Sequence, residues 1–88
     1  MKGLVSIIIV NYYCEDDIEL CIRSIKEKAD ADFEIIVVSN SPWTDKKFVL
    51  EKEHPEVTWL ETGFNAGYSV ANNLGAEHAH GEIGRAHV

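Results

Sequence analysis

Asn11, Tyr12 and Tyr13 follow directly on the apolar run 4–10, and that placement gives them chemical interest. The run is branched and apolar on both alternating faces, as in a strand covered by helices on both sides of a parallel sheet. Such sheets bind ligands just beyond the carboxyl ends of their strands, where these three residues fall. The other reactive side chains form no constellation. Asp16 with Asp17, and Asp30 with Asp32, stand at helix ends, as solvated acids do. Cys14 and Cys21 are seven apart; along one helix that is roughly 10 Å, beyond disulfide reach. No Cys-x-x-Cys or Cys/His grouping suggests zinc. His78 and His80 are two apart and would point different ways on a helix, so with His54 they read as ordinary polar residues.

The elements that would position the strand-end residues follow from periodicity. Glu15, Asp16 and Asp17 offer N-cap candidates and first-turn acids, and Ile18, Cys21, Ile22 and Ile25 recur at helical spacing, so a helix is expected over 17–28. A second buried strand covers 33–38 and ends in the turn-rich Ser39-Asn40-Ser41-Pro42. Thr44 is placed to cap a helix from Asp45, and Pro55 to stop it. A third, shorter strand is expected over 57–61 and a loop over 62–66. A last helix is expected over 67–80, with Tyr68, Ala71, Gly75 and Ala79 on one face, small enough for close approach to a sheet, and Gly81 as its C-cap. Strand and helix alternate three times, which implies a Rossmann-like α/β/α arrangement with a parallel sheet and right-handed crossovers.

The 88 residues suffice for one small domain, and 45% apolar content is globular. A net charge of −7, from 15 acidic and 8 basic residues, argues against a nucleic-acid partner. No apolar run is long enough to span a bilayer, no signal peptide is evident, and the thiols read as reduced. The expected location is the cytoplasm or the cytoplasmic face of a membrane. The last seven residues break the pattern. Where an apolar strand is due, the chain reads Glu82-Ile83-Gly84-Arg85-Ala86-His87-Val88. Back-translated as GAG ATC GGA AGA GCA CAC GTC, this stretch spells a common sequencing-adapter read. The expectation is therefore a native domain over 1–81 and a non-native tail over 82–88, with only the first base of the Glu82 codon native.

Four segments in order carry a resemblance: Val5-Ser6-Ile7-Ile8-Ile9-Val10-Asn11-Tyr12, Leu20-Cys21-Ile22-Arg23-Ser24-Ile25, Glu34-Ile35-Ile36-Val37-Val38-Ser39-Asn40-Ser41, and Asn65-Ala66-Gly67-Tyr68-Ser69-Val70-Ala71-Asn72-Asn73-Leu74-Gly75. Together they resemble family 2 glycosyltransferases, nearest those that include rhamnosyl- and galactofuranosyl-type transferases. The resemblance implies the GT-A fold, a nucleotide-sugar donor, and a role in polysaccharide or cell-wall synthesis. It places Val10, Asn11 and Tyr12 against the nucleotide base. It makes Asn65 and Gly67 the turn into a helix beside the nucleotide, with Asn72 a donor contact, and Glu15 a weaker candidate for the same pocket. The family's aspartate after strand two is replaced here by Ser39, so Ser39 or Asn40 is expected to take that contact. Tyr12 and Tyr13 also suit amphipathic packing at a strand end, and Asn72 suits helix packing. The resemblance further implies a divalent ion, magnesium or manganese, held by an Asp-x-Asp motif beyond Gly81, and a catalytic carboxylate later still. No residue of this chain is expected to be catalytic or metal-ligating, and the chain alone is expected to be inactive. The acceptor would be a glycan or lipid-linked hydroxyl. The competing reading is a non-catalytic Rossmann-like nucleotide-binding or interaction module.

Overall fold

The computed structural model describes residues 4–28, 32–41 and 44–86. Its elements are β1 (Val5–Asn11), α1 (Glu15–Lys28), β2 (Phe33–Ser39), α2 (Asp45–Glu53), β3 (Thr58–Glu61), α3 (Tyr68–Glu77) and β4 (Glu82–Ala86). The sheet is parallel throughout, in the order β3-β2-β1-β4. The expected turn around 29–31 and the residues Pro42 and Trp43 lie outside the described residues.

Each face of the sheet has its own core. Ile7, Ile9, Ile35 and Val37 face α1 and α2, where Ile18, Ile22 and Leu50 meet them. Ile8, Ile36 and Val38 face the other way and pack on Ala71 of α3. The isoleucine run is thus buried on both faces, as its lack of alternation requires, each fully buried side chain contributing about 1.5–3 kcal/mol. α3 lies close because it has a glycine at the contact: a Cβ on Gly75 would stand 2.6 Å from Cγ2 of Ile8 and 3.2 Å from Cγ2 of Val38. The chain runs outward through β1, β2 and β3, then returns to the far side of β1. Right-handed crossovers therefore put α1 and α2 on one face and α3 on the other, and the strand order reverses beside β1.

Local chemistry moves several boundaries. α1 starts at Glu15, two residues early, because Oδ1 of Asn11 accepts the Cys14 N–H at 3.1 Å and closes the entry turn. Thr44 caps α2 as expected, its Oγ1 accepting the Lys47 N–H at 3.2 Å. β3 starts one residue late, since the Val57 N–H is held by the His54 carbonyl at 3.2 Å in a turn. α3 ends at Glu77 with His78 as its C-cap. Gly81 is therefore not the cap. Its N–H donates to Oγ of Ser6 at 2.8 Å, and a side chain there would collide with the Leu4 carbonyl.

The sheet has one strand more than the three expected. The backbone of residues 82–86 runs parallel to β1, with Glu82 opposite Val5 and Ala86 opposite Ile9. The ladder along that edge is main chain to main chain, a pairing open to any extended segment that follows α3.

Candidate functional site at the carboxyl rim

The strands end level. Asn11 stands opposite Ser39, and Ser39 opposite Glu61. Past that line the main chain of Asn40 donates to the Asn11 carbonyl at 2.7 Å. Asn40 is 3% exposed, and its side chain holds the 62–67 connection at three points. Its Oδ1 accepts the Ala66 N–H at 3.0 Å and lies 2.9 Å from Oγ1 of Thr62, and its Nδ2 donates to Oδ1 of Asn65 at 3.3 Å. Oδ1 of Asn65 also accepts the Gly67 N–H at 3.2 Å. Thr62 returns the connection to β2, its N–H donating to the Ser39 carbonyl at 3.0 Å. The Thr62 hydroxyl has a single proton for three nearby acceptors, Oδ1 of Asn40 and the carbonyls of Ser39 and Phe64.

The backbone is special at this rim. Among the described residues, positive φ occurs at Tyr13 (54°), Gly63 (83°) and Gly67 (94°), and all three lie here. The last two have open space around them, so conformation and not room explains the glycines. Tyr13 is a bulky residue in the left-handed region, a conformation held against its own preference. Its ring meets that of Tyr12 edge-on, centroids 5.0 Å apart at 71°, and both are half exposed.

The sequence-selected residues therefore divide. Asn11, Ser39 and Asn40 are buried, and the side chains of Asn11 and Asn40 are engaged inside the protein. Val10 packs in the α3-side core beneath the rim. Tyr12, Asn65 and Gly67 present themselves to solvent. Asn72 sits one turn into α3, 5% exposed. Its Nδ2 donates to the Tyr68 carbonyl at 3.2 Å, and its Oδ1 is buried without a partner. Glu15 is 6% exposed, with Oε1 accepting from Oγ1 of Thr44 at 3.0 Å, which ties the start of α1 to that of α2. The sequence reading missed three residues at this rim: Thr62, and Lys47 with Glu61, which pair at 2.8 Å. Thr62 directly follows a strand and could have been found; a lysine on an apparently polar helix gave no signal.

Beside Tyr13 a hollow of about 260 Å³ opens, lined also by Cys14, Glu15, Asp16, Asp17 and Lys46. The acids that line it disfavour phosphate. Burial pushes the Cys14 thiol up, and the charges of Glu15 and Asp17 add to this, which disfavours the thiolate. Both cysteines are free.

The histidines are dispersed. Nδ1 of His78 is 3.0 Å from the Leu74 carbonyl, His80 meets Glu34, and His54 meets Lys26. Among the described residues no group of three or more His, Cys, Asp or Glu could hold a metal ion. No helix among them is long and apolar enough to cross a membrane.

A parallel sheet with helices on both faces, order reversing beside β1 and polar loops at the reversal, defines a Rossmann-like half-domain of the GT-A kind. Residues 6–84 match the family described as "Glycosyl transferase family 2". The chain belongs to that family. It is also 32% identical over 83 residues to the low-salt glycan biosynthesis hexosyltransferase Agl10 of Haloferax volcanii, an alignment covering 94% of this chain and 25% of that protein. The chain thus spans about a quarter of the length of the curated relative it matches.

Proposed function

We propose that this chain is the donor-binding, amino-terminal part of a glycosyltransferase. The parent would move a sugar from a nucleotide-sugar to an acceptor hydroxyl on a glycan or lipid-linked molecule, with a nucleoside diphosphate leaving. The single observation that supports it best is the linkage of the Asn11, Ser39–Asn40 and Asn65–Gly67 segments at one rim, through the 2.7 Å and 3.3 Å bonds of Asn40. The division of labour follows from exposure. Asn11 and Asn40 hold the loops in place. Tyr12 supplies a ring face for a base, Asn65 supplies polar edges, and the start of α3 supplies main-chain N–H groups for the diphosphate. α3 suits that last role because Gly67 brings no capping side chain. The acidic hollow on the other side of Tyr13 turns the phosphates the same way. Asn72, with an unpartnered buried carbonyl, suits a donor group on the ligand.

Among the described residues no His, Cys, Asp or Glu group fits the divalent ion implied by the family. Magnesium or manganese and the catalytic carboxylate belong to the parent beyond Gly81, and the 88-residue chain transfers no sugar. Measurable turnover by the purified chain would overturn that part. Residues 82–88 are read as a non-native tail, which the source DNA across Gly81 decides. For the site, the chain is titrated with UDP, GDP and dTDP and followed by amide NMR. One of them is expected to bind at about 1 mM, near −4 kcal/mol, moving Tyr12, Asn65 and Gly67. Shifts confined to the opposite end of the sheet, or no saturable shift with any of the three, would sink the reading.

A further inference from the structure

α2 buries just two side chains, Leu50 and Lys47. Leu50 joins the core. Lys47, fully buried, brings a charge to a place where a methionine or leucine would pack without desolvation cost. Among the described residues its ammonium meets Glu61 and Ser41. Nζ lies 2.8 Å from Oε1 of Glu61, the last residue of β3, and donates to the Ser41 carbonyl at 3.3 Å, just past the end of β2. The lysine main chain is fixed in turn by Thr44, whose hydroxyl also holds Glu15 of α1. One ammonium thus spans two of the segments that form the rim, residues 39–41 and 61–67. Glu61 adjoins Thr62, and Ser41 adjoins Asn40, the pair whose side chains join those segments.

We propose that Lys47 is a positioning residue for the rim, clamping these two segments from beneath at the separation a donor nucleoside needs. The proposal rests on the reading of the rim as the nucleoside site, but its first test does not. In the ligand-free chain, Glu61→Gln weakens the clamp while the partly exposed site keeps folding safe. The side-chain amide signals of Asn40 and the main-chain amide of Ala66 are expected to shift or broaden. Unchanged signals there would overturn the clamp whatever the chain binds.

The second test uses whichever of UDP, GDP or dTDP the wild type binds. Lys47→Met is expected to weaken binding about tenfold, in line with the cost of small misplacements in a site. The double variant Lys47→Met/Glu61→Leu, which removes both charges, is expected to recover the lost thermal midpoint without the lost affinity. Recovery of affinity along with stability would make the pair a packing element only and overturn the proposal. Leu50→Ala serves as the control: it lowers the midpoint by core loss and leaves affinity within about twofold. If the wild type binds none of the three nucleotides, the donor reading fails, and the ligand-free spectra still judge the clamp.

Discussion

The two ends of the sheet solve the same problem with different chemistry. At the amino end, Glu34 accepts from the Ser6 hydroxyl at 2.5 Å and from the His80 main chain at 2.6 Å, and its other oxygen lies 3.1 Å from the His80 ring. Nearby, His54 lies 2.8 Å from the Lys26 ammonium, which also pairs with Glu56. At the carboxyl end the 39–41 and 61–67 segments are joined by neutral amides and a hydroxyl beside the half-buried Lys47–Glu61 pair, the exposed Lys46–Asp16 pair ties α2 to α1, and the backbone takes its only positive φ angles among the described residues. The amino end is fastened by titratable groups on relaxed backbone. The carboxyl end is held by fixed amides on constrained backbone, as binding loops on a rigid scaffold are.

This contrast can be broken experimentally. Asn40→Ala is expected to have the largest effect, about 3 kcal/mol of stability, because it strands Ala66 N–H, Thr62 and Asn65 together. Urea unfolding measures it, and a loss no larger than that of an ordinary surface change would erase the distinction between the ends. Gly67→Ala forces a side chain into φ 94°, ψ 150° and should cost about 2 kcal/mol, again read by urea, together with loss of nucleotide shifts at Asn65. Glu34→Gln at the amino end should cost about 1 kcal/mol and leave nucleotide shifts at the rim untouched; altered shifts there would show that the ends are coupled.

The smallest expected effect is in pH. Burial, then the Lys26 charge, lowers the His54 ring below its ordinary 6.5. The folded chain therefore favours the neutral ring; its contribution is full above 6.5 and is lost as pH falls through the lower folded value. At Glu34 burial works upward, but the bonds from Ser6 and His80 outweigh it and leave the carboxyl below its ordinary 4.5, so its contribution also disappears in acid, below that value. The urea midpoint should fall between pH 7.5 and 5.5 in the wild type and fall less in His54→Gln. A midpoint that rises on acidification would contradict the assignment of the amino end.

The repeat of strands and helices was legible because its signals are local: a double-faced isoleucine run, Thr44 three residues before an amide it caps, and small residues along one face of α3. The wrong boundaries came from side-chain and turn bonds at the element ends, local at Asn11–Cys14 and His54–Val57 and long-range at Gly81. Nothing in the spelling of Asn11 says that its side chain will hold Cys14 and start α1 early, or that Gly81 will lie on Leu4 instead of closing α3. The rim was found at its strand ends, where neutral polar residues interrupt apolar runs. Its support was missed, because a lysine among Lys46, Lys52 and several glutamates looks like solvated surface until the fold buries it.

β1 precedes β2, β3 and β4 in the chain, yet it lies inside the sheet, with β2 on one side and the segment after α3 on the other. Until translation has passed α3, a run of isoleucine and valine offers a bare row of main-chain donors and acceptors along one flank. The inner flank of β1 is therefore satisfied only once the segment after α3 is in place, so the central strand is completed by the last element to join the sheet.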